Sequence, residues 1–138
     1  MAVFRIYVEK KKAFAIEAAH MQSDIENVLQ IKTNNIRILN RYDIEEMEEQ
    51  TFKHCVQSIF AEPPIDQVYT VLPAQQGTVL AIEYLPGQFD QRADSAAQCI
   101  QMLTQEDRPT VKSAKIILFE EKLSEENFTS IKHYLINE

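Results

Sequence analysis

At 138 residues, with 45% apolar and 25% charged side chains and a mean hydropathy of -0.29, the chain has the composition of a soluble globular protein long enough to bury a core without metal or disulfide support. Its 14 Lys and Arg against 21 Asp and Glu leave a formal net charge of -7, which argues against nucleic acid as a partner. No stretch approaches about 18 apolar residues and the N-terminal segment lacks a signal-peptide pattern, so no membrane partner is expected.

Ala2–Val8 alternates as a half-buried strand, with Phe4, Ile6 and Val8 on one face and Arg5 and Tyr7 on the other. Lys10–Lys12 reads as its solvated end. A helix is predicted over Phe14–Leu29, its apolar stripe made by Phe14, Ala18, Met21, Ile25, Val28 and Leu29. After the break at Asn34-Asn35, Ile36, Ile38 and Asn40 alternate with Arg37 and Leu39 in a second strand. Asp43 is placed to cap a short acidic helix over Ile44–Glu49, and Thr51–Phe60 reads as a further helix through Phe52, Cys55, Val56 and Ile59, ended by Pro63-Pro64. Ile65–Gly77 reads as a connector around a short strand at Val68–Val71. A strand at Val79–Tyr84, a corner at Leu85–Asp90 and a helix at Gln91–Leu103 follow, the helix turning Ala93, Ala96, Ala97, Ile100 and Leu103 inward. Pro109 closes the next loop, Val111–Phe119 forms a strand with Ala114, Ile116 and Leu118 inward, and Ser124 opens a last helix that buries Phe128, Ile131 and Leu135.

The element order repeats. A shift of 76 residues lays Phe4, Ile6 and Val8 over Leu80, Ile82 and Tyr84, and Phe52, Cys55 and Ile59 over Phe128, Ile131 and Leu135. The expected fold is therefore α+β: a pseudo-twofold repeat of two strand-helix-strand-helix halves, about residues 2–60 and 78–137, joined by a connector at 61–77 in one domain. Helices pack on antiparallel sheet, because a half of about 60 residues buries its own faces poorly.

Known chemical motifs are sparse. The two glycines, Gly77 and Gly87, fit neither a P-loop nor a dinucleotide fingerprint. Cys55 and Cys99 lack CxxC spacing, which predicts a reducing, cytoplasmic setting and two small buried side chains. His54 and Cys55 are adjacent on a helix and point about 100° apart, so they do not form a thiol and its base. His20, His54 and His133 are scattered, and no metal site is expected. Glu45, Glu46, Glu48 and Glu49 read as a solvated helix face.

One run departs from this background, from Glu83 to Ser95. Pro86-Gly87 supplies the central pair of a type II turn, Asp90 can cap the next helix, and Asp94 suits its first turn. That account leaves Gln88, Gln91 and Arg92 unexplained. Planar polar groups around an aromatic, Phe89, are what a docking surface uses.

The run LPGQFDQRADSAAQC, starting at Leu85, resembles a signature of the N-terminal part of large-type phosphoribosylformylglycinamidine synthases, the glutamine-dependent amidotransferases of purine biosynthesis. Phe4–Lys10, Ile36-Arg37-Ile38 followed by Tyr42-Asp43, and Lys132–Asn137 are also similar to that domain, so the resemblance spans essentially the whole chain. It implies a PurS-like domain, the single-chain counterpart of a dimer of the small subunit in multi-subunit versions. Enzymes of the family convert formylglycinamide ribonucleotide, ATP and glutamine to formylglycinamidine ribonucleotide, ADP, phosphate and glutamate. Their ATP and Mg2+ sites lie in a later synthetase region and their Cys-His-Glu glutaminase triad in a C-terminal domain. The resemblance thus implies a detached first domain without a cofactor, metal or catalytic residue of its own. Its expected partners are the synthetase and glutaminase domains, met through Pro86, Gly87, Gln88, Phe89, Asp90, Gln91, Arg92 and Asp94. The alternative is a small-molecule-sensing, ACT-like regulatory domain using the Gly87 loop.

Overall fold

The computed structural model describes residues 3–33, 35–45, 47–61, 64–72, 77–84, 88–106 and 108–136, apart from the side chains of Gln57 and Ile136. In chain order these form β1 (Phe4–Lys10), a 3-10 turn (Lys12–Phe14), α1 (Ile16–Leu29), β2 (Ile36–Glu45), α2 (Glu49–Cys55), a π-helical turn (Val56–Phe60), β3 (Asp66–Tyr69), β4 (Thr78–Glu83), α3 (Gln91–Thr104), β5 (Thr110–Phe119) and α4 (Glu125–Ile136). The fold is α+β. The strands make one antiparallel sheet in the order β3-β1-β2-β5-β4, whose centre is a register of ten residue pairs between β2 and β5, from Ile36 opposite Phe119 to Glu45 opposite Thr110.

Register decides which side chains share a face. Phe4, Ile6 and Val8 of β1 stand level with Ile44, Tyr42 and Asn40 of β2, and this row continues through Ile36, Ile38, Ile117, Phe119, Leu80 and Ile82. The helices cover it in two clusters. One joins Ile6, Val8, Tyr42 and Ile44 to Phe52 and Cys55 of α2, Phe60 of the π turn, and Ala96 and Ile100 of α3, with the Phe4 and Phe52 rings stacked 4.4 Å apart. The other joins Ile36, Ile38, Leu80, Ile117 and Phe119 to Ala18 and Ile25 of α1 and Ile131 of α4.

The opposite face is neither bare nor uniformly polar. Tyr7, Leu39, Ile116 and Leu118 form a third cluster, with Tyr69 and Leu72 packed against it. Charged pairs border it. Arg5 donates to both oxygens of Asp43 at 2.5 and 3.0 Å, Arg41 reaches Glu83 at 3.1 Å, and Arg37 clasps Glu9 at 2.6 and 2.7 Å beside the Tyr69 hydroxyl. β3 and β4 lie at opposite edges of the sheet, and the chain that leaves β3 packs Leu72 against this second face. At its far end Gly77 approaches β5 so closely that a Cβ there would lie 1.7 Å from the Phe119 carbonyl oxygen.

Several sequence expectations are corrected by this geometry. Asp43 and Ile44 do not begin a helix. They extend β2, where Asp43 faces Arg5, and α2 begins at Glu49 with Glu48 in the capping position and no side-chain cap. Glu45 is accordingly a strand residue rather than part of a helix face, and Glu46 lies outside the described residues. Phe14, Val28 and Leu103, expected in the core, are 47%, 58% and 45% exposed. Phe14 falls in the 3-10 turn, because α1 begins only at Ile16, and Val28 lies in the last turn of α1. In β5, Ala114, Ile116 and Leu118 are buried, but against the second face; Ile117 and Phe119 meet the helices. Cys99, expected inside, is exposed, whereas Cys55 is buried. Pro63 and Asn34 also lie outside the described residues.

Two stability measurements follow. Ile117, wholly buried at the centre of the sheet, should cost about 2–5 kcal/mol on truncation to Ala in urea denaturation, against under about 1 kcal/mol for Leu103→Ala. Gly77→Ala should cost about 1–3 kcal/mol, because backbone rather than a movable side chain occupies the space; unchanged stability would refute the close approach.

Candidate functional site

The corner that opens α3 is anchored to the central strands by one carboxylate. Asp90 Oδ1 accepts the Ala93 amide at 3.0 Å and so caps the helix. The same side chain accepts the Ser113 amide at 2.9 Å and the Ser113 hydroxyl at 2.8 Å, and Ser113 is a buried residue of β5. One side chain therefore fixes both the start of α3 and its height above the sheet. Asp94, in the first turn, receives Arg108 Nη1 at 2.9 Å and closes the loop that leads from α3 to β5.

The residues singled out in the sequence are distributed around this anchor. Pro86 and Gly87 lie outside the described residues, and the type II turn with them. Gln88 and Gln91 are exposed, and Phe89 presents 70% of its surface to solvent. Arg92 turns toward β2, where its Nη1 donates to the Tyr42 hydroxyl at 3.4 Å. Burial on its own would lower the Arg92 pKa, but the Tyr42 contact and the charges of neighbouring groups, Glu17 among them, raise it above the usual arginine value. Glu17 is itself held by Lys115.

Arg92 overhangs a cleft of about 470 Å³ lined by Tyr42, Ile59, Phe60, Tyr84, Gln91, Ser95, Ala96 and Cys99. Three elements build it. From α3 come Arg92, Ser95 and Cys99, three and seven residues apart and so on one helical face. The π turn contributes Ile59 and Phe60, and the Phe60 ring, 4.8 Å from that of Tyr42, holds the tyrosine in place. Such π turns occur frequently at functional sites. Sequence reading missed the roles of Tyr42, Tyr84 and Ser113 because each becomes meaningful only across the sheet or across the corner. The row of Arg92, Ser95 and Cys99 could have been found from helical spacing, but the apolar spacing on the other side of α3 obscured it.

The adjacency of His54 and Cys55 does not give the thiol a base. His54 is exposed on α2 while Cys55 points into the core, where burial pushes its thiol pKa up. A larger groove of about 850 Å³ between α1 and α4 is lined by Glu17, His20, Asp24 and His133 among others. Among the described residues, no three His, Cys, Asp or Glu side chains are arranged to hold a metal ion.

Asp90→Ala should destabilise the fold by about 1–3 kcal/mol through loss of the cap and of the partners of Ser113, whereas Phe89→Ala should stay within about 0.5 kcal/mol of the parent in the same denaturation assay. Iodoacetamide at pH 8 should modify Cys99 and spare Cys55, whose raised pKa further reduces the thiolate fraction at that pH; mass spectrometry of the folded chain reads the outcome. In comparisons with protein-family models, curated proteins and solved structures, nothing matches this chain.

Proposed function

We propose that the chain is a non-catalytic assembly domain of the PurS-like kind, serving a phosphoribosylformylglycinamidine synthase by holding its synthetase and glutaminase parts in register. In this reading ATP, Mg2+ and both reacting substrates are handled by those other parts, and the protein is cytoplasmic. The observation that carries the proposal is Phe89: a large apolar side chain 70% exposed, one residue from a carboxylate locked onto the central sheet. An aromatic exposed beside a helix start that is tied to the sheet, with Gln88 and Gln91 next to it, has the form of an interface anchor whose ordering cost is largely met before binding.

The sheet order supports the repeat on which this reading draws. The unit β1-α1-β2 and the unit β4-α3-β5 each place a helix between two adjacent antiparallel strands, and they meet at the β2–β5 pair in the middle of the sheet. Of the residues matched by the 76-residue shift, Phe4, Ile6, Leu80 and Ile82 lie on the helix-covered face, and Phe52, Cys55, Ile59, Phe128, Ile131 and Leu135 on the inward sides of α2, the π turn and α4; the third strand pair departs from this, Val8 being buried while its match Tyr84 lies beyond β4 and is half exposed. A pseudo-twofold axis through the β2–β5 ladder, relating halves at about 2–60 and 78–137, accounts for this arrangement.

Complementation tests the proposal. A synthase of the family lacking its N-terminal domain should regain glutamine-dependent activity when this chain is added. Phe89→Ala should lower that recovery at least roughly tenfold while leaving the circular dichroism spectrum unchanged. Glutamine hydrolysis by the purified chain alone, or recovery insensitive to Phe89, would contradict it.

A further inference from the structure

The assembly reading rests on Phe89; the cleft beside α3 shares Gln91 and Arg92 with the same run, but the rest of its lining plays no part in that reading. Of the five arginines in the sequence, four are matched with carboxylates: Arg5 with Asp43, Arg37 with Glu9, Arg41 with Glu83 and Arg108 with Asp94. Arg92 differs. Among the described residues it meets no carboxylate within ion-pair distance, and its hydrogen bond goes to a neutral hydroxyl, that of Tyr42. Among the described residues lining the cleft, it is the only one with a formal charge.

A guanidinium carries five N–H donors in a planar fork, so a single contact at 3.4 Å leaves most of its capacity directed elsewhere. The remaining wall combines hydrogen-bonding groups on Tyr84, Gln91 and Ser95 with the apolar surface of Ile59 and Phe60. We propose that this cleft binds a small organic oxyanion, a carboxylate or phosphate group on a compact molecule, with Arg92 as its counter-charge and Tyr42 and Ser95 as neutral hydrogen-bonding partners. The volume, about 470 Å³, lies within the range of small-molecule sites, and convergence of a few polar groups on a partly apolar wall is their usual build. Charge-assisted bonds from a fork-shaped donor favour such groups over neutral ligands.

The full chain, labelled with 15N, is titrated with inorganic phosphate and separately with benzoate at constant ionic strength, using sodium chloride as the reference. The expected result is saturable movement of the Arg92, Ser95 and Cys99 amide signals with at least one of the two. Phosphate alone assigns a phosphoryl group, benzoate alone assigns a carboxylate on an apolar body, and both together assign the shared oxyanion chemistry. Arg92→Gln should weaken the response roughly tenfold or more. Ser95→Glu, which offers Arg92 a carboxylate from its own helix, should abolish it even if Arg92→Gln fails to fold. Phe89→Ala should titrate like the parent chain, which separates this site from the docking surface. Shifts no larger than those produced by chloride, meaning an adventitious ion only, or an unchanged titration in a folded Arg92→Gln chain, would overturn the proposal.

Discussion

The ten-pair antiparallel register between β2 and β5 is the constraint on which the rest of the structure depends. Each of these strands is also paired on its other side, β2 with β1 and β5 with β4, so the ladder fuses two β-α-β units into one sheet. Neither unit closes a core of its own. Ala96 and Ile100 of α3 pack in a cluster with residues of β1, β2 and α2, while Ala18 and Ile25 of α1 pack with Leu80, Ile117, Phe119 and Ile131. Each helix also lies on a strand of its own unit, α1 beside Ile36 and Ile38 of β2, so each cluster runs across the boundary between the units rather than stopping at it. Strand pairs are marginal in isolation, and these shared clusters turn two incomplete layers into one cooperative interior.

The same ladder positions the candidate site. Ser113 sits opposite Tyr42 in the β2–β5 register. Ser113 holds Asp90 and hence the start of α3, while Tyr42, steadied by Phe60, receives Arg92 from the same helix turn. Two neighbouring positions of one strand pair therefore fix the two ends of the functional corner: the side that displays Phe89 and the side that overhangs the cleft. The docking surface and the anion cleft proposed above are separate uses of one rigid joint. On the far face of the sheet, the Arg5–Asp43, Arg41–Glu83 and Arg37–Glu9 pairs neutralise charge around an apolar patch, so the arginines there are already engaged.

Local periodicity made most of the fold legible. Spacings of two and of three to four residues identify α1, β4, α3 and α4 because each has one buried and one wet side, and β1 alternates in the same way although Tyr7 is buried on the second face. It failed where tertiary pairing overrides the local signal. Asp43 resembles a helix cap from its neighbours alone, yet Arg5 on the adjacent strand gives its carboxylate a partner and keeps β2 extended to Glu45. A central strand such as β5 is buried on both faces, so the run from Ala114 to Phe119 carries no alternation to say which side meets the helices. At the site, the capping role of Asp90 was readable and its bonds to Ser113 were not, because they link residues 23 positions apart. Exposure of Cys99 follows from its place in the Arg92–Ser95 row, a pattern that apolar spacing on the opposite side of α3 obscured.

Native-state hydrogen exchange tests the central claim most directly. If the β2–β5 register unites the two units, the slowest amides of β1, β2, β4 and β5 will exchange with one common opening free energy, equal to that from urea denaturation, and all will fall together in Ile117→Ala. Two distinct opening energies, with β1-α1-β2 remaining protected while β4-α3-β5 exchanges freely, would contradict it.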